Sequence, residues 1–267
     1  MVSQSVIAGY IFSIILSVGF PIFAFIYLKR KERILFRPVL TGSLIFIFFA
    51  LVLEGSLNFY LLNINESTKV LKTNSYLFSL YGALAAGVFE ETGRYVAFAW
   101  LLKKYRDRKD GLAYGLGHGG IESIFLGGFA SVQYIILANV VNTGGLDNHS
   151  IPGAAAIKAS ILNITADTSF SVGIDRILSF FIQVALSLLV LYAVKNKKFI
   201  HFLLAILIHT AIDFVAVLGV IFKFNPFVMD LYLLAVAIGA VIYIRKTKEA
   251  SNISEEKPSS VEMTEDL

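Results

Sequence analysis

Long apolar stretches separated by short charged segments run along the chain to about residue 248. A helix needs about 20 mostly apolar residues to cross a bilayer core. Seven stretches approach or exceed that length, at residues 5–28, 38–62, 76–102, 112–141, 173–194, 199–222 and 227–244. The pattern predicts an all-α fold, a polytopic transmembrane bundle of about seven helices.

Positive charge alternates between the segments that connect these stretches. The segments after the first, third and fifth stretches and residues 245–248 after the seventh contain 16 Lys and Arg residues, whereas the N-terminus and the other connections contain 4. Because loops rich in Lys and Arg stay in the cytoplasm, we predict an N-terminus outside and a C-terminus in the cytoplasm. In the longest outer connection, residues 142–172, an alanine-rich segment at 154–159 predicts a short helix lying against the bundle.

The chain after the last apolar stretch has a different character. Residues 249–267 are acidic, rich in Ser and without apolar periodicity. Such a segment lacks the apolar side chains that a packed core requires. We therefore predict a transmembrane domain at residues 1–248 and a disordered acidic cytoplasmic tail at 249–267.

Composition excludes several classes of protein. The chain is 57% hydrophobic and 16% charged, and its mean hydropathy is +0.74, which excludes a soluble enzyme. It contains no cysteine, so disulfides, thiolate metal sites and cysteine nucleophiles are excluded as well. The net charge of +4 arises from residues at helix ends, which indicates membrane topology and no nucleic-acid partner.

The third apolar stretch carries charged residues at a depth where lipid would surround them. Glu90, Glu91 and Arg94 lie within an otherwise apolar sequence. Charge at membrane depth is costly and by default marks a functional site facing a polar interior. A structural ion pair at i,i+4 would explain Glu90 with Arg94. It would not explain the second glutamate beside them.

Two other stretches each carry a polar pair at i,i+4. His118 and Glu122 share one helix face among several glycines, which let a neighbouring helix or a substrate backbone approach closely. His209 and Asp213 form the second pair. At about 1.5 Å per residue from the nearest cytoplasmic charge, these groups and those of the third stretch lie roughly 12 to 22 Å deep. We therefore expect one site formed by three helices.

Five further polar residues lie nearer helix ends, interfaces or loops, and we place them outside the expected site: Glu54, Asp175, Arg176, His149 and His201.

These motifs resemble those of a known family. Glu-Glu-Thr-Gly-Arg at 90–94, Gly-His-Gly-Gly-Ile-Glu at 117–122 and His-Thr-Ala-Ile-Asp at 209–213 look like the motifs of the YhfC family of intramembrane proteases. That family is similar to the CAAX prenyl endopeptidases, the bacterial Abi proteins and the PrsW proteases. The motifs occur in the family's order, and the resemblance extends from the first helix through the seventh.

Two departures from the CAAX pattern favour the YhfC branch. Arg94 follows the glutamate pair after two residues rather than three, and the last motif ends in Asp213 rather than Asn. The resemblance implies a multi-pass protein of a bacterial cell membrane. It also implies a substrate that is a peptide or protein embedded in or associated with the membrane.

The residue types suit hydrolysis of a peptide bond by activated water. The chain has no cysteine and no serine beside a base, so water is the natural nucleophile. We expect Glu90 or Glu91 to be the general base, because a carboxylate removed from water accepts a proton more readily near neutral pH. Arg94 would keep its neighbour ionised or fix its position.

The two histidines allow two versions of this chemistry. In one, His118 and His209 hold the water and stabilise the oxyanion. In the other, they bind Zn²⁺ with a glutamate as third ligand and leave a water position open. Asp213 and Glu122 are expected to orient these groups or to add ligands.

Two other functions stay open at this point. A non-catalytic membrane receptor or immunity protein could keep the same motifs without turnover. A proton-coupled transporter could use buried Glu, His and Asp as a proton relay. The chain has no internal repeat, which disfavours transporter folds built from two related halves.

Overall fold

The structure is a computed structural model that describes residues 1–147 and 152–255. Helices make up the described chain, which contains no strand, and the predicted all-α fold is confirmed. The helices are α1 (Gln4–Lys31), α2 (Phe36–Ile64), α3 (Ser75–Val96, continued by Ala97–Leu101), α4 (Arg108–Asn142), α5 (Ala154–Leu162), α6 (Ala166–Lys195), α7 (Phe199–Ile221) and α8 (Pro226–Glu255). A 3-10 segment, Glu66–Thr73, joins α2 to α3.

Six of these helices are long and apolar enough to cross a membrane, namely α1, α2, α4, α6, α7 and α8. A multi-pass membrane protein is therefore confirmed. Helix α3 has 22 residues in α geometry and 5 more in π geometry, but it is less apolar because it carries the three charged residues of the first motif. A count of seven spans and the orientation of the termini stay predictions.

Two boundaries of the sequence prediction compare with the structure as follows. Helix α5 confirms the short helix expected in the connection 142–172. Helix α8 continues to Glu255, beyond the predicted end of the membrane domain at 248. Residues 256–267 and His149 lie outside the described residues, so the division into two domains stays a prediction.

Helix α4 is central to the bundle because its glycines let neighbouring helices approach. A Cβ atom on Gly117 would lie 1.9 Å from the Val39 carbonyl oxygen of α2. A Cβ atom on Gly115 would lie 2.8 Å from Cα of Val184 in α6. No side chain fits at such distances, so the backbones of α2 and α6 press directly against the helix that carries His118.

The bundle has two ends that differ in charge. We call basic end the end that holds the connections after α1, α3 and α6, at residues 32–35, 102–107 and 196–198. The other end is called the opposite end. Near the basic end the helices enclose a compact apolar core. Several of its members are completely buried, among them Ala97, Phe98, Leu102, Tyr114 and Val190.

Ion pairs close the basic end around one glutamate. Arg108 Nη1, at the start of α4, lies 3.7 Å from Glu32 Oε2. Lys248 Nζ, on α8, lies 2.9 Å from Glu32 Oε1. Capping also fixes the start of α4, since the Asp107 backbone N–H donates to the Asp110 side chain at 3.0 Å. These contacts join α1, α4 and α8 at the basic end.

Candidate functional site

The structure brings all seven predicted site residues, from α3, α4 and α7, into one network of contacts that α6 completes. Six of them are buried, and the seventh, Asp213, has a side chain that is 36% exposed. Glu90, Glu91 and Arg94 come from consecutive turns of α3, where spacings of one, three and four residues keep them near one another. The network divides at this helix into two branches, one through each glutamate.

The first branch runs through Glu91, which is fully buried. Arg94 donates from Nη1 to Glu91 Oε1. His209 Nδ1 lies 2.7 Å from the same oxygen, which accepts the Nδ1 proton. This contact fixes the ring so that His209 Nε2 lies 3.4 Å from Asp213 Oδ2. Glu91 therefore orients a histidine and neutralises an arginine.

The second branch runs through Glu90 and forms a group of metal-ligand type. Glu90, His118 and Glu122 each offer one ligand atom, and these atoms lie within 4.8 Å of one another. His118 Nε2 lies 2.9 Å from Glu90 Oε2. The ring of His118 is fully buried and packs edge-on against Phe46, with ring centroids 5.1 Å apart.

The donor set of this group fits a divalent metal. Catalytic zinc sites commonly use three protein ligands from His, Glu and Asp and keep a fourth position open. Bonds from zinc to nitrogen and oxygen are about 2.0 to 2.2 Å long. Ligand atoms within 4.8 Å of one another need only a small contraction to meet such a metal.

The group differs from the predicted pair of histidine ligands in one member. Glu122 belongs to it, and His209 does not. His209 Nε2 lies 4.0 Å from Glu90 Oε2, and its other nitrogen is engaged by Glu91. Spacing along α7 could not reveal this, because the outcome depends on which residues of α3 and α4 face the histidine.

Gln183 on α6 is a residue of the site that sequence reasoning missed. Its amide oxygen accepts from Arg94 Nη2. Its amide nitrogen donates to Glu90 Oε2 at 3.3 Å and to Glu122 Oε2. The arginine thus fixes the orientation of the amide, and the amide holds the two carboxylates of the metal-type group together.

Arg176 also belongs to the site, although the sequence prediction left it at a helix end. Its Nη1 donates to Glu122 Oε1 at 3.2 Å. Helix α6 begins at Ala166, seven residues before the predicted start, so Arg176 lies well inside the helix. The sequence did indicate a polar face on α6, which includes Gln183. Polar residues recur there at intervals of four, and Arg176 is next to the first of them: Asp175, Ser179, Gln183 and Ser187.

A cavity of about 450 Å³ adjoins these groups. Its polar lining residues are Glu54, Glu90, Glu122, Asp175, Arg176, Ser179, Gln183, His209 and Asp213. Apolar residues complete the wall, most of them from α2, α7 and α8. Glu91 is not part of the lining. Glu54 and Asp175, which the prediction placed outside the site, therefore share a cavity with it.

Helix geometry widens locally beside the cavity. Residues Ser123–Phe129 form a π-helical segment that begins directly after Glu122. A second π-helical segment, Ile47–Glu54, ends at the residue that lines the cavity on α2. Such insertions into α-helices are frequent at functional sites because they redirect side chains that regular helices would point elsewhere.

Comparison with known proteins adds a family to this geometry. The sequence model of a family described as YhfC intramembrane metalloprotease matches residues 15–233. A curated relative, the uncharacterized membrane protein YhfC of Bacillus subtilis (strain 168), is 35% identical over 223 residues. The matched region covers 82% of this chain and 86% of the relative. No solved structure matches the chain significantly.

Proposed function

We propose that this chain, which belongs to the YhfC family, is an intramembrane protease that hydrolyses a peptide bond with the help of a divalent metal ion. The observation that carries the proposal is the buried group Glu90, His118 and Glu122 beside a cavity. Burying two carboxylates within 4.8 Å of each other is unfavourable unless cations compensate them. Arg94 and Arg176 supply two positive charges against the three buried carboxylates Glu90, Glu91 and Glu122, so the site keeps a negative excess that suits a bound cation.

The metal would be held by Glu90, His118 and Glu122. A divalent ion bound there would supply an acidified water and polarise the peptide carbonyl. Gln183 and Arg176 would keep the two carboxylates in place, since both donate hydrogen bonds to them. Zinc is the ion that this donor set suits best among the common hydrolytic metals.

Proton transfer would be divided between α3 and α7. Hydrolysis removes a proton from the attacking water and delivers one to the departing amine. Glu90 lines the cavity and would accept the first proton on the carboxylate oxygen that does not hold the metal, whereas Glu91 is outside the lining and contacts His209. His209 would donate from Nε2 to the amine nitrogen as the C–N bond breaks. Asp213, 3.4 Å from that atom, would stabilise the charged ring.

The proposal is tested by cleavage with purified protein. We would determine bound metal and profile the cleavage of a library of transmembrane and lipidated peptides. The wild type is expected to contain about one divalent ion, to lose activity on chelation and to regain it when the ion returns. Glu90→Gln and His118→Ala are expected to lose both metal and cleavage.

A matched control separates these effects from a general loss of carboxylates. Glu66 lies in the 3-10 segment between α2 and α3, with a side chain that is 82% exposed. Glu66→Gln should cleave like the wild type.

Three outcomes would contradict the proposal. Full activity in metal-free protein would refute the requirement for a metal ion. Absence of cleavage in folded, metal-loaded protein would favour the receptor, and proton flux in proteoliposomes would favour the transporter.

A further inference from the structure

We propose that the substrate reaches the site from the opposite end of the bundle, so that the protein cleaves peptide segments presented at the outer surface of the membrane. The cleavage itself rests on the proposed function. The direction of access rests on the shape of the cavity and on the packing around it. It can therefore be tested whether or not cleavage is found.

Helices that start at the basic end line the cavity from about their midpoints onward. Helix α2 contributes from Phe46 to Glu54, and α7 contributes from His209 to Val220. Val220 lies about three turns beyond His209 and one residue before the end of α7. Both helices thus line the cavity from the level of the metal-type group toward the opposite end, and α7 does so almost to its last residue.

Helices that run the other way line the cavity with residues that lie before or just past their midpoints. Helix α6 lines the cavity from Asp175 to Gln183, and α8 lines it with Met229 and Leu233. Met229 is in the first turn of α8, which begins at Pro226. The lining residues of all four helices, whichever way each helix runs, therefore show that the cavity extends from the site toward the opposite end.

Close packing separates the site from the basic end. One turn below Glu90 on α3, Arg94 is fully buried, and Ala97 and Phe98 follow, also fully buried. Tyr114 on α4 and Val190 on α6 fill the same level without exposure. A packed interior has almost no voids as large as a water molecule, so a peptide cannot pass through this layer.

We call mouth the part of the cavity between the metal-type group and the opposite end. Its wall is largely polar at mid-depth, where Glu54, Asp175, Arg176 and Asp213 line it, which suits a hydrated peptide better than a lipid chain. Facing hydrocarbon would be costly for these groups, so we expect water to fill the mouth. The apolar wall residues between them can contact the side chains of an extended substrate.

Charge in the connections relates this mouth to a side of the membrane. The basic end carries the Lys- and Arg-rich connections, which the positive-inside rule assigns to the cytoplasm. The mouth then faces outward. The substrate class that follows is a membrane-anchored protein or lipidated peptide with an extended segment at the outer surface.

The absence of cysteine makes a direct test possible, since a single introduced thiol has no background. Ala216 lines the cavity on α7, and Ala205 is fully buried nearer the basic end of the same helix. Ala216→Cys and Ala205→Cys are therefore a matched pair. Asn225→Cys and Lys104→Cys, exposed at the opposite end and at the basic end, report the orientation of the membrane.

Intact cells would be treated with a membrane-impermeant, charged methanethiosulfonate reagent. We expect modification of Ala216→Cys and Asn225→Cys, at least tenfold faster than that of Ala205→Cys and Lys104→Cys. In inside-out vesicles only Lys104→Cys should react. Modification of Ala216→Cys is also expected to block cleavage by the otherwise active variant.

Three results would overturn the inference. If the Ala216→Cys variant reacts only in inside-out vesicles, as the Lys104→Cys variant does, the cavity is reached from the basic end. Lys104→Cys reacting in intact cells while Asn225→Cys does not would place the mouth in the cytoplasm. No reaction of Ala216→Cys in either preparation would show a closed cavity. Labelling as expected without any cleavage would refute the protease and leave the route of access standing.

Discussion

The half of the bundle near the basic end and the half near the opposite end use the same helices but fill the space between them differently. On α7, Ala205 is fully buried in an apolar core, and Ala216 lines a cavity with polar walls. Apolar packing stabilises the fold, whereas a cavity forgoes contacts that the lining atoms would otherwise make. The comparison indicates that stability is concentrated near the basic end and chemistry near the opposite end.

The charged residues of α3 lie at the boundary between the two halves. Glu90 faces the cavity, and Glu91 and Arg94 are enclosed on the packed side. The two adjacent carboxylates point in different directions, so Glu90 belongs to the half with the cavity and Glu91 to the packed half. Substitutions at this boundary are therefore the strongest way to test the comparison.

The largest effect is expected for Glu90→Gln. The amide keeps the size of the side chain but offers neither an anionic oxygen to the metal nor a proton acceptor to water, and loss of the proton acceptor alone lowers rates by about 10²- to 10⁴-fold. We expect kcat/KM for peptide cleavage to fall by at least that factor, while thermal unfolding of the metal-free variant in detergent stays near that of the metal-free wild type. An unfolding transition shifted as far as the activity would show that Glu90 belongs to the packed half.

Arg94→Met should act on stability instead. It leaves Glu91 buried without its cation, and breaking a buried ion pair in this way costs about 3 to 5 kcal/mol. Denaturant unfolding in detergent measures the loss. The double variant Arg94→Met with Glu91→Gln should recover much of it, because the uncompensated charge is gone. Equal loss in the single and double variants would contradict this account of Arg94.

Gln183→Met is expected to weaken metal binding more than folding. The thioether has a similar length but no N–H group to hold Glu90 and Glu122, and loss of such outer contacts typically lowers metal affinity by about 10- to 100-fold. Competition with a chelator of known affinity gives the dissociation constant. Gln133→Met, at an exposed position of α4, is the control and should bind metal normally. Equal affinity in the two variants would remove Gln183 from the site.

The smallest effect is expected for Gly117→Ala. The added methyl group meets the Val39 carbonyl oxygen, and overpacking of this kind costs about 1 to 3 kcal/mol. Gly82→Ala on α3 meets no atom within 4 Å and replaces a poor helix former, so it should be neutral or stabilising by about 1 kcal/mol. Unfolding in detergent compares the pair. A neutral Gly117→Ala would show that α2 and α4 can separate.

Hydropathy and charge along the chain were sufficient to predict an all-α membrane bundle and a short helix between residues 142 and 172. Counting residues from the nearest cytoplasmic charge was sufficient to predict that Glu90, His118 and His209 lie at similar depth. In the structure all three belong to one hydrogen-bonded network. These properties follow from the sequence because a helix rises by a constant amount per residue. A repeat of about 3.6 residues also determines which side chains share a face.

The tertiary structure alone decided how the polar groups divide. Glu122 joined the metal-type group in place of His209, Gln183 and Arg176 entered the site, and a cavity opened on one side of it. Periodicity cannot determine these outcomes, since the face of a helix is known from its own sequence but its neighbours are not. Which helices pack together depends on contacts between residues far apart in the chain, such as the glycines of α4 against α2 and α6.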